Sequence, residues 1–88
     1  MNEFKTLWSE YLEAEKYADE IDAAYEMDPE NTEIENKWDE AYKAEYDAKE
    51  KVADKIVEMT SGKVDKKTAN IMISAKRDEL VDLISRIA

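Results

Sequence analysis

The chain has no cysteine and no histidine, one glycine and one proline in 88 residues. Each absence removes a class of chemistry. Without cysteine there is no disulfide framework and no thiolate nucleophile or metal ligand. Without histidine the commonest general base, the commonest zinc ligand and the side chain that titrates near neutral pH are all missing. Glycine and proline are too scarce for a strand-and-turn architecture, and no sustained apolar–polar alternation marks a strand. No apolar run reaches membrane-spanning length, and the N-terminus lacks the pattern of a signal peptide, so a cytoplasmic location is expected.

What is present is charge and helix-forming side chains. Charged residues make up 41% and hydrophobic residues 43%, and the net charge is −10. That apolar content separates the chain from disordered acidic segments. So negative a surface repels nucleic acid and anionic membranes, so the expected partner is another protein with a basic surface.

The single proline and the single glycine divide the chain into three predicted helices, giving an all-α single domain over residues 1–88. The first covers residues 3–27. Its apolar residues Phe4, Leu7, Tyr11, Ala14, Ala18, Ile21 and Tyr25 follow each other at steps of three and four, a heptad pattern. Asp28 is a candidate N-cap for the second helix with Pro29 at its first position, and Asn31 or Thr32 is the alternative cap. The second helix covers residues 30–60, with Ile34, Trp38, Ala41, Ala48, Val52, Ile56 and Met59 on its stripe. Trp38 is expected in the core. Glu45 falls on the same stripe and is expected to drift out to solvent.

Gly62 is placed to close the second helix in a left-handed conformation. Asp65 then caps a third helix over residues 66–87, which carries Ala69, Met72, Ile73, Leu80, Leu83, Ile84 and Ile87. The first two helices should form an antiparallel hairpin, with the third packed along it or completing a dimeric bundle. Ile71 and Val81 extend the third helix's apolar surface beyond one face, as for a helix either sandwiched between two others or buried by a second chain.

Charge is not uniform along the chain. Residues 1–62 hold 19 acids and seven bases, whereas residues 63–88 hold four acids and six bases. The first helix is the sharpest case: over the 17 residues from Glu10 to Glu26, the acids Glu10, Glu13, Glu15, Asp19, Glu20, Asp22 and Glu26 stand against one base, Lys16. Glu15–Asp19 and Asp22–Glu26 are like-charge pairs at i,i+4, each unfavourable by a few tenths of a kcal/mol. The second helix instead offers compensated spacings at Glu33–Lys37, Asp39–Lys43, Glu45–Lys49 and Asp47–Lys51. A plain reading is a solvated face, neutralised by Lys66, Lys67, Lys76, Arg77 and Arg86 of the third helix.

The functional reading starts from spacing. Seven charges over ~25 Å of helix amount to about one per 3.6 Å, close to the ~3.4 Å of one nucleic-acid strand. The seven acids, with Tyr17 as an interleaved aromatic, are therefore the candidate partner-binding residues. Metal and catalytic readings fare worse. Glu10-x-x-Glu13 and Glu79-x-x-Asp82 offer paired carboxylates for Mg²⁺ but no nucleotide-binding pattern. The turn Glu26–Asn31 lacks the glycine and the bidentate glutamate of a calcium loop. No catalytic residue, metal or cofactor is expected. In small size, acidity and helical build the chain resembles small phage-encoded inhibitors. That resemblance implies an inhibitor or regulator occupying the nucleic-acid-binding surface of another protein by mimicry. The alternative is an assembly module that self-associates, as a homodimer, through its heptad-patterned helices as a coiled coil.

Overall fold

The computed structural model describes residues 2–87, with side chains over residues 3–86. Four helices follow one another: α1 (Asn2–Met27), α2 (Thr32–Met59), α3 (Lys66–Ala75) and α4 (Arg77–Ile87), with no strand among the described residues. The hairpin of α1 and α2 sets the long axis of a molecule 46 × 23 × 19 Å in extent. At ~1.5 Å per residue, 28-residue α2 alone spans most of that axis.

The α1–α2 hairpin turns on four residues. The Asn31 N–H donates to the Asp28 carbonyl at 3.2 Å, closing a turn with Pro29 at its second position, where a fixed φ fits. Asn31, not Asp28, caps α2: its Oδ1 accepts from the N–H groups of Glu33 (3.0 Å) and Ile34 (3.2 Å). Pro29 therefore belongs to the turn and not to the first helical position.

At the other end of α2, Ser61 and Gly62 both have positive φ (54° and 83°), and the Gly62 N–H donates to the Val57 carbonyl at 2.9 Å. The buried Thr60 hydroxyl donates to the Ile56 carbonyl (2.9 Å) and accepts from the Val64 N–H (3.2 Å), so it holds the turn from inside. Asp65 caps α3 as expected, accepting from the Thr68 N–H at 2.7 Å.

The third predicted helix is two. It breaks at Lys76, whose φ of −134° leaves the helical region. No glycine or proline forces this. The stretch Ser74–Glu79 holds no large apolar side chain, so turning there sacrifices no burial. Asp78 and Glu79 then sit in the first turn of α4, where the helix dipole favours acids. The turn lets α4 leave α3 and lay Leu80 and Ile84 against Phe4 of α1.

The core consequently occupies one end of the molecule. Phe4 and Tyr11 of α1, Val52, Ala53 and Ile56 of α2, Ala69, Met72 and Ile73 of α3, and Leu80 and Ile84 of α4 form one buried cluster. We call this end the base. Residues 18–45 project from it as a two-helix arm whose only fully buried side chains are Ala18 and Ala41. Ile21 and Trp38, expected in the core, lie half-buried in the arm because no third helix covers them. Ile87 lies outside the residues whose side chains are described.

Burial predicts the effect of truncation. Leu80→Ala should lower unfolding free energy by ~2–4 kcal/mol, and Ile21→Ala by about 1 kcal/mol, because only the former empties a closed site. Urea denaturation followed by circular dichroism measures both. Equal losses would contradict the division into base and arm.

Candidate functional site

The eight partner-binding candidates divide between two sides of α1. With ~100° between successive residues, Glu15, Asp19, Asp22 and Glu26 run down one flank, and Glu10, Glu13, Tyr17 and Glu20 run down the outer side. The outer four are all exposed, with Tyr17 46% accessible. The flanking four border α2, and it is there that a defined arrangement forms.

Glu15 marks the base end of this flank and is paired within the chain. Arg77 Nη1 donates to its Oε1 at 3.0 Å, while Nη2 pairs with Oε2 and donates to the Tyr11 hydroxyl at 3.3 Å. Arg77 Nε donates to the Ile73 carbonyl at 2.9 Å, closing the C-terminus of α3 with a cation. The guanidinium also lies 5.7 Å from the ring centres of both Trp8 and Tyr11. The Arg77 hydrogen bond holds the Glu15 carboxyl below the usual range. Burial, helped by Glu15, pushes the Tyr11 hydroxyl up to about 12.

Beyond Glu15 the seam between α1 and α2 is uncovered. Asp19, Asp22 and Glu26 form its α1 wall, and Trp38, Tyr42 and Glu45 come from α2. Asp22 accepts from Trp38 Nε1 at 3.0 Å. Tyr25, Trp38 and Tyr42 make an aromatic ladder with ring centres 5.7 and 4.6 Å apart. Glu45 does not drift to solvent: it is half-buried, and its carboxyl is pushed up by burial and then by Glu15 and Asp19. The Tyr42 hydroxyl is raised too, by burial and then by Asp22, Glu45, Asp19 and Glu26. Glu45 escaped sequence reasoning because a lone carboxylate on an apolar stripe is expected to reach solvent, and Tyr42 because it lies off that stripe. The signal was the coincidence of Glu45 with the acidic stretch of α1.

The expected neutralisation of the acidic face largely fails. Of the five basic residues after the loop only Arg77 reaches α1; Lys66 pairs with Glu50 and Asp54, and Arg86 with Asp82 of its own helix. Of the four compensated spacings on α2, Glu33–Lys37 alone forms an ion pair among the described residues, at 3.9 Å. The side chain of Lys49 reaches across to Ser74 instead.

The consequence is a charge partition. Residues 18–45 carry 11 acids and two bases, a net of −9; all other residues carry 12 acids and 11 bases, a net of −1. Among the described residues no group of three acids is arranged to hold a metal ion, and no helix is long and apolar enough to cross a membrane. Glu10 and Glu13 on α1 and Glu79 and Asp82 on α4 do not converge. No family model matches the chain, and no curated protein or solved structure matches it.

The shifted groups predict how stability follows pH. The folded pKa of Glu45 is raised above 4.5, so its ionisation opposes folding at neutral pH and that penalty is relieved as pH falls toward 4.5. Glu15 is lowered, so its contribution is complete above 4.5 and lost as pH falls below it. The lowered carboxyls of Glu3 and Glu50 act in the same sense as Glu15. Melting temperature should therefore rise slightly from about pH 7 toward 4.5 and fall below it. Glu45→Gln should raise the neutral-pH melting temperature and remove the rise; Glu15→Gln should lower it and blunt the acid-side fall. A steady decline from neutral pH in the parent would show that paired carboxylates dominate throughout.

Proposed function

We propose that the protein is a non-catalytic binding protein whose acidic arm occupies the basic, nucleic-acid-binding surface of another protein, as an inhibitor or regulator. The observation that carries this reading is the charge partition: a narrow rod, remote from the core, holds −9 of the net −10. Folding alone does not call for that. Like charges on one rod repel, and the base has already neutralised its own acids with nearly equal numbers of bases. A partner that supplies cations turns the repulsion into attraction, steers encounter at long range and makes the complex salt-sensitive.

The seam adds chemistry beyond charge. Asp19, Asp22 and Glu26 set anionic groups along one edge, and the rings of Trp38 and Tyr42 lie beside them as flat surfaces. A groove that holds nucleic acid recognises the same pairing of anion and ring, with arginine or lysine for the phosphates and aromatic or guanidinium planes for the bases. Glu10, Glu13, Tyr17 and Glu20 present a second anionic side to a partner that wraps the rod.

A specific observation also favours self-association. Between α1 and α4 a mainly apolar cleft of about 250 Å³ is lined by Phe4, Trp8, Leu80, Val81 and Ile84, with Lys5 and Ser85 at its polar side, and Val81 remains 58% exposed. A dimer joined there would leave the highly charged arms apart. Sedimentation equilibrium separates a 10.2 kDa monomer from a dimer directly.

The binding test reverses charge without touching the base. Asp19→Lys, Glu20→Lys and Glu26→Lys together spare the Glu15–Arg77 pair and the Asp22–Trp38 bond. Proteins captured by the parent from cells that produce it should be basic nucleic-acid binders, released by rising NaCl and by competing duplex DNA or RNA. The triple variant should retain its helical circular dichroism and bind the captured partner at least about 100-fold more weakly. Undiminished binding by that variant would refute the arm as the interface.

A further inference from the structure

We infer that the arm, residues 18–45, is a local folding unit that opens while the base stays folded, with its own charge setting how often it does so. The proposal rests on how unevenly the fold distributes its supports. The largest fully buried side chains, Ile56, Ile73, Leu80 and Val52, all belong to the base. The arm buries completely only two alanines, and a methyl group gives little hydrophobic stabilisation. Its remaining interior is half-buried: Ile21, Ala24 and Tyr25 face Ile34 and Trp38 with solvent on both flanks.

The polar supports of the arm are few as well. Glu33–Lys37 is its one ion pair among the described residues, and it links successive turns of α2 without joining the two helices. The Trp38–Asp22 hydrogen bond is the side-chain hydrogen bond that crosses the arm. Against these stands the repulsion of 11 acids facing two bases. α1 and α2 cross from arm to base without a glycine or proline, so opening proceeds by unwinding and not by bending at a hinge. The two helices of the hairpin separate from the turn at Asp28–Asn31 and unwind toward Ala18 and Ala41. Helical segments this short are marginal once parted, so separation and unwinding go together.

Charge then acts as the control. Any cation that screens or neutralises the seam removes the term that opposes closure and leaves the aromatic ladder unopposed. Ordering of the arm is thereby coupled to capture of a basic partner, a step that rests on the binding role proposed above. The opening itself does not.

The test is hydrogen–deuterium exchange on the full chain alone, with NaCl as the only added probe. Backbone amides of residues 22–27 and 36–42 should exchange at least about tenfold faster than those of residues 52–57. Raising NaCl to about 0.5 M should slow the arm amides several-fold. The neutralised variant Asp19→Asn, Glu26→Gln, Glu45→Gln should do the same at low salt. Trp38→Phe, which keeps a ring but loses the bond to Asp22, should speed exchange in the arm and leave the base unchanged. Uniform protection across both regions would overturn the inference, as would arm exchange insensitive to both salt and the neutralised variant. Because no partner is present, these outcomes stand apart from the binding result: an arm that opens but captures nothing would refute only the function.

Discussion

One guanidinium joins three of the four helices. Arg77 begins α4, donates its Nε–H to the last-turn carbonyl of Ile73 in α3, and reaches α1 through Glu15, Tyr11 and the face of Trp8. A fork of donors suits this position because it satisfies a carbonyl and a carboxylate at once while its plane lies against aromatic rings. Lysine offers a single point charge and cannot do so. The pair is only half-buried, so its desolvation cost is moderate, and each of the three guanidinium nitrogens has an acceptor. The break at Lys76 is the geometric counterpart: with the chain turned there, Arg77 points back across α3 toward α1, and Leu80 and Ile84 follow onto Phe4.

From this junction the division of the molecule follows. α3 and α4 together have 21 residues, against 26 and 28 in the hairpin helices, so they cover only the end of the hairpin nearest them. Below Arg77 the hairpin is part of a four-helix core. Above it, two helices stand alone with half-buried Ile21, Ile34 and Trp38 between them. The acids sort along the same boundary: Lys55, Lys66 and Arg77 neutralise carboxylates at the base, whereas the arm acids have scarcely any bases near them. Stability and net charge are therefore located at opposite ends of one rod. The base anchors a charged arm that contributes little to holding the fold together.

Much of the helical layout was legible beforehand because its causes are local. The seven-residue stripe from Phe4 to Tyr25 can only be a helix face. Asp65 before a polar first turn is a cap, and Gly62 after an apolar stripe is a left-handed stop. The break at Lys76 was not legible, since Ala75, Lys76 and Arg77 are good helix formers and the stripe residues Ile73 and Leu80 lie a full heptad apart. It is a feature of the packed chain, in which the turn brings Leu80 and Ile84 of α4 into the same buried cluster as Phe4 of α1. The cap at Asn31 was one of several open choices, and the closure of the Asp28–Asn31 turn selected it. Glu15 was legible as an acid on a crowded face, but its loss to Arg77 involves a contact 62 residues away in sequence.

The amino-acid sequence by itself determined the helical class, the hairpin, the absence of cysteine and histidine chemistry, and the excess of acid in the first helix. These follow from composition and from spacings of three and four residues, which act within a turn or two of the chain. Only the tertiary structure decided where the third helix breaks, which carboxylates are neutralised, and that Glu45 and Tyr42 join Asp19, Asp22 and Glu26 along one open seam. Those outcomes depend on which cation reaches which acid across the bundle. That is set by helix lengths and the angle at Lys76, quantities that exist only once the chain has packed.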